Sequence, residues 1–188
     1  MIRKIFVNVC IVVVLVQIGY SQDWIKDVLK NPSDVNLTID TLKSVMKAKI
    51  GTRVQNIKFK PITNYFFSEK LEDYKDNAII MMFWNTNCRG CKMQLPDLST
   101  IQEKYEKQGL KVIYLSYDSD KIQKKFFKTN ILSGVKGVIE ESNLDKPFQY
   151  FVFPTTFIIS KGKIMEGWVG PEKKEIIEKR IQPYITQK

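Results

Sequence analysis

The chain is predicted to be an α/β protein with a mixed central sheet flanked by helices, and three observations predict it. Ile79 to Trp84 is an unbroken apolar run, the pattern of a central strand buried on both faces. Gly90 to Lys107 follows with an apolar stripe at helical spacing: Cys91, Leu95, Leu98, Ile101 and Tyr105. Near the other end, Phe157–Ser160 and Lys163–Val169 flank a Lys161-Gly162 turn and read as a hairpin. Strand–helix crossovers followed by an antiparallel hairpin make a three-layer α/β domain.

The elements follow in order. The first 21 residues stand apart. Arg3 and Lys4 precede a mostly apolar run from Ile5 to Ile18, and Gly19-Tyr20-Ser21 supplies small residues before Gln22. That is the pattern of a secretory signal peptide. The apolar run is about fourteen residues, short of the roughly twenty that span a bilayer. The expected location is therefore exported, periplasmic or secreted after cleavage, and membrane-anchored if the segment stays on. Residues 22–53 form an N-terminal helical extension, with amphipathic helices over Asp23–Lys30 and Thr38–Lys49 and a break at Asn31-Pro32-Ser33-Asp34.

The main domain is expected to run over 54–188. Val54 to Phe67 is strand-like but interrupted by Pro61, which suggests an edge hairpin. After the first strand and its helix, which Pro96 should kink, Lys111–Ser116 is the second strand and Lys121–Thr129 the second helix. Asn130 to Phe153 is a long connection, and Pro171 is read as opening a last helix over Glu172–Ile181.

Composition narrows the chemistry. The chain has no histidine, which removes His-based metal sites and Cys–His or Ser–His catalysis. Its charge is +10, or +8 without Arg3 and Lys4, but the lysines are dispersed as on a solvated face. Neither nucleic acid nor a metal is an expected partner. Of the three cysteines, Cys10 lies in the signal segment, so Cys88 and Cys91 are the pair that remains.

That pair lies in Trp84-Asn85-Thr86-Asn87-Cys88-Arg89-Gly90-Cys91, between a strand and a helix. One sulfur sits at a helix N-terminus, where free N–H groups and about half a positive charge stabilise a thiolate. The other sits one turn inside, placed to resolve a mixed disulfide. This is a redox arrangement, and it needs no cofactor beyond the Cys88–Cys91 disulfide.

With Phe153-Pro154-Thr155-Thr156-Phe157 preceding the hairpin, the chain resembles the thioredoxin fold, and more narrowly the exported TlpA/ResA-like thiol–disulfide oxidoreductases. The resemblance implies an exposed nucleophile at Cys88 and a buried resolving thiol at Cys91. It implies a cis bond before Pro154, substrate contacts at Phe153, Pro154 and Thr155, and Trp84 packed beneath the redox turn. It further implies protein thiols or disulfides as substrates, a membrane protein as electron donor, a monomer, and reduction of disulfides, with cytochrome c maturation as one setting. An oxidase or isomerase, and a redox-gated binding module with little turnover, are the competing functions.

Four residues depart from the family pattern. Gly90 replaces a proline and Asn87 a tryptophan. Met82 and Gln94 stand where proton-handling carboxylates are common, which leaves water, Glu69 or Asp73 as acceptors for the Cys91 proton. Arg89 adds a fixed positive charge beside Cys88.

Overall fold

The computed structural model describes residues 44, 46–54, 57–63, 68–139 and 152–185. The expected signal segment, the helix over Asp23–Lys30 and most of the next one lie outside the described residues. Residues 46–49 are helical. The described residues belong, Ser44 apart, to one compact unit that begins at Val45.

Seven strands form one sheet: β1 (Lys58–Pro61), β2 (Glu69–Lys70), β3 (Ala78–Trp84), β4 (Leu110–Ser116), β5 (Val135–Val138), β6 (Thr155–Ser160) and β7 (Lys163–Val169). Their spatial order is β2-β1-β5-β4-β3-β6-β7. β3, β4 and β5 run parallel, while β1 and β6 join them antiparallel. The helices are α1 (Arg89–Tyr105), α2 (Asp120–Thr129) and α3 (Lys174–Ile181).

β3 lies at the centre because every one of its side chains is buried. Its alternation feeds two cores. Ile80, Met82 and Trp84 join Cys91, Leu95, Leu98 and Ile101 of α1 and Ile177 and Ile181 of α3. Ile79, Met81 and Phe83 pack on the other face with Met46, Ile57, Phe59 and Leu71. The connections β3–α1–β4 and β4–α2–β5 step in one direction along the sheet. Right-handed crossovers of that kind leave both helices on one face, and Phe126 and Phe127 of α2 indeed pack on the α1 side.

Two expectations are corrected and one holds. The long connection after Asn130 contains a strand, β5, whose Val-Lys-Gly-Val sequence is too short and too polar to read as one. β1 and β2 pair antiparallel at one edge of the sheet, the edge hairpin expected here, with the two-residue β2 outermost and just beyond Phe67. Pro61 is tolerated because it ends β1 opposite Gly137, and the next residue, Ile62, resumes donation to Lys136 O. Finally, α3 begins at Lys174 rather than at Glu172, which leaves Pro171 in the preceding loop. α1 runs through Pro96 as a single continuous helix.

Candidate active site

Cys88 is the N-cap of α1. Its backbone is extended (φ −77°, ψ 111°), and its Sγ accepts the N–H of Cys91 at 3.0 Å. An N-cap side chain accepts from the third helical residue because the first four helical N–H groups have no partner within the helix. Here the acceptor is sulfur, and a thiolate in its place would make the bond charge-assisted. Cys88 is partly exposed and Cys91 has no exposed surface. The two sulfurs are joined as a disulfide with the Cα atoms 5.2 Å apart.

The turn that carries Cys88 is held from below. Thr86 donates its N–H to the Asp118 carboxylate at 2.6 Å, Asn87 to Asn85 Oδ1 at 3.0 Å, and Cys88 to Asn85 O at 3.2 Å. Trp84 is fully buried and meets the rings of Phe126 and Phe127 at 5.1 and 5.2 Å. It shares a core with Cys91, so its place is structural. Asp118 is a contributor that sequence reading missed; an acidic residue just beyond a strand is its only signal.

Pro154 stands beside the turn. The Phe153–Pro154 peptide is cis. Pro154 is buried, its carbonyl accepts the Gly170 N–H at 2.8 Å, and Thr155 Oγ1 donates to Val152 O at 2.5 Å. Phe153 is half-buried, with its ring 6.4 Å from that of Tyr117.

Gly90 lies between two prolines. A Cβ at this position would come within 3.3 Å of Pro154 Cδ and 3.4 Å of Pro171 Cδ. Contacts that close are tighter than a side chain normally makes. Pro171 was not foreseen as part of the site, since its sequence signal is indistinguishable from that of a helix-opening proline.

Gln94, one turn beyond Cys91, is 1 % exposed. Its Oε1 accepts the Glu172 N–H at 2.6 Å, while its Nε2 is buried with no hydrogen-bond partner. Met82 has no exposed surface and lies in the same apolar core as Cys91. Neither Glu69 nor Asp73 comes near. Glu69 accepts the Tyr74 hydroxyl and Asp73 the Lys70 N–H at 2.7 Å. They lie on or next to β2, four strands from β3, or about 19 Å at the usual strand spacing. The edge of the sheet carries them away from the sulfurs, so neither can take the Cys91 proton. Arg89 is exposed on the first residue of α1.

The site therefore presents one accessible sulfur capped by a helix N–H and one sealed sulfur a turn deeper, flanked by a proline loop. Residues 50–166 match the AhpC/TSA family. Over 119 residues the chain is 29 % identical to the thiol-disulfide oxidoreductase ResA of Bacillus thuringiensis subsp. konkukian, covering 61 % of this chain and 69 % of that protein. ResA of Geobacillus kaustophilus is 25 % identical over 115 residues, covering 60 % and 66 % of the two chains. The solution structure of a thiol:disulfide interchange protein from Bacteroides sp. superposes with a TM-score of 0.64 at 16 % identity, covering 72 % of this chain and 90 % of that one, a likeness of fold. The chain belongs to the AhpC/TSA family and is a thioredoxin-like thiol–disulfide oxidoreductase of the TlpA/ResA-like kind.

Proposed function

We propose that the protein works outside the cytoplasm as a reductase of protein disulfides, with Cys88 as nucleophile and Cys91 as resolving thiol. The observation that carries this reading is the Cys91 N–H aimed at Cys88 Sγ above a second sulfur with no exposed surface. The reduced form attacks as a Cys88 thiolate. It bonds to one substrate sulfur and breaks the substrate disulfide, and the departing sulfur takes a proton from solvent. Cys91 then loses its proton, attacks Cys88 Sγ and releases the second substrate thiol. Two electrons have passed to the substrate, and the Cys88–Cys91 disulfide remains, the state held in this structure.

With neutral residues at Met82 and Gln94, water is the acceptor for the Cys91 proton. Phe153, Pro154 and Thr155 are assigned to the substrate strand, a β-addition mode of binding. No cofactor is needed beyond the cysteine pair. Re-reduction of that pair falls to a membrane dithiol donor, because the bacterial periplasm is kept oxidising rather than buffered by glutathione. The signal pattern of residues 1–21 supports export, and likeness to ResA supports thiol–disulfide exchange at the pair. A monomer that reduces an apocytochrome disulfide to thiols before haem attachment is the setting we favour.

Two measurements test this. The reduction potential of the pair should lie toward the thioredoxin end, about −270 mV; a value near about −120 mV would make the protein an oxidant instead. Cys91→Ala should accumulate mixed disulfides with partner proteins in cells. If it captures none while the oxidised wild type still binds protein, the molecule is a binding module.

A further inference from the structure

We propose that the surface around the redox pair receives an acidic polypeptide segment, so that the disulfide reduced here is flanked by Asp or Glu. This rests on the reductase reading above and adds the class of substrate. Arg89 follows Cys88 and Lys92 follows Cys91, and both are exposed. On the far side of Gly90 the loop through Pro171 closes on the same turn, and its exposed Lys173 caps α3.

None of these three cations is in an ion pair among the described residues. Lys104, Lys111 and Lys124, elsewhere on the surface, each hold a carboxylate at 3.1, 3.0 and 3.5 Å. Two acidic groups near the turn are directed to partners of their own. Glu172 lies 3.4 Å from the Arg180 guanidinium, which it shares with Glu166, and accepts the Lys173 N–H at 3.0 Å, while Asp118 holds the Thr86 N–H. What a substrate meets, among the described residues, is three exposed cations outside any ion pair, on both sides of Gly90, while Glu172 and Asp118 are partly buried. The screening length is about 8 Å at physiological ionic strength, so a flanking carboxylate one or two residues from the substrate cysteine lies within reach of that field. Charge complementarity of this kind raises the encounter rate and discriminates against like-charged partners.

The test uses the pre-reduced full chain and three disulfide-bonded peptides that differ only in the residues flanking cysteine: Glu, Gln or Lys. Second-order reduction rates are measured at low and high salt. They are divided by the rate with iodoacetamide, so that any change in Cys88 nucleophilicity cancels. The Glu peptide should react about tenfold faster than the Lys peptide at low salt, with Gln between them, and the ratio should collapse at high salt. The double variant Lys92→Glu, Lys173→Glu should erase or invert the preference; Arg89 is left in place because its charge also acts on Cys88. Rates within twofold of one another at low salt would overturn the proposal, as would a Glu preference that survives both salt and charge reversal. Reduction of none of the peptides would remove the reductase reading itself, and this inference with it.

Discussion

At the scale of single residues, the site is defined by what its atoms touch more than by which residues they are. Gly90 sits against two proline rings that a Cβ would approach to 3.3 and 3.4 Å. Alanine there would gain up to about 1 kcal/mol of helix propensity while requiring the prolines to give by a few tenths of an ångström. Valine cannot be accommodated that way. Gly90→Val should destabilise the oxidised protein by about 1–3 kcal/mol, the usual cost of overpacking, measured as a shift in urea midpoint. Gln94 makes a different prediction, because its two amide atoms act in opposite directions. Oε1 holds the Glu172 N–H, and Nε2 is buried without a partner. Gln94→Met removes both at similar volume, so global stability should change by less than about 1 kcal/mol. Hydrogen exchange at the Glu172 amide should nevertheless quicken by about tenfold, since about 1.4 kcal/mol of local protection corresponds to that factor. Unchanged exchange would show that the amide does not hold the loop.

At the scale of elements, β5 is the instructive case. Its four residues carry a lysine and a glycine, and nothing in their own sequence makes a strand. They become one because β4 offers a parallel edge on one side and β1 an antiparallel partner on the other. Gly137 is what lets β1 close on β5, since a Cβ there would come within 2.5 Å of Phe59 Cδ2. Gly137→Ala should cost about 1–3 kcal/mol. It should also loosen β1 and β2 before the central strands, which hydrogen exchange would show as early loss of protection over Lys58–Pro61. If protection there is unaltered, β1 is anchored by something other than this contact. Helix α1 is the opposite case: its stripe of apolar residues, its cysteine cap and its place after a buried strand agree with one another, and it forms where expected.

At the scale of the whole molecule, the two cores on either side of the sheet set the response to pH. Tyr114 is buried in the α1-side core, with its hydroxyl unpartnered. Burial, with a smaller contribution from the Glu103 charge, raises its pKa above the ordinary 10. A folded-state pKa above the unfolded one means that this stability is fully present below pH 10. It is then lost as pH rises past 10, because the unfolded tyrosine ionises first. Tyr114→Phe should therefore change stability little at pH 7 and flatten its decline above pH 10, checked by urea titrations at both values. A decline as steep as that of the wild type would assign the alkaline loss to other groups. Much of this architecture was legible beforehand. The run Ile79–Trp84, the stripe from Cys91 to Tyr105 and the hairpin around Lys161-Gly162 are each local signals, in which hydrophobic period and turn chemistry alone specify the element. The same holds for the redox pair, whose spacing and position between strand and helix are written in the stretch from Trp84 to Cys91 and its flanks. Other features were not legible: β5 as a strand, Pro171 against Gly90, Gln94 holding Glu172, Asp118 beneath Thr86, and the distance of Glu69 and Asp73 from the sulfurs. Each of these joins segments that are remote along the chain, and their partners are chosen by how the crossovers stack and where the sheet ends. What the sequence by itself determined was the existence and chemistry of a capped cysteine pair on a buried strand–helix unit. Only the tertiary structure decided what surrounds it, because proximity between distant segments is a property of packing and no single stretch of chain encodes it.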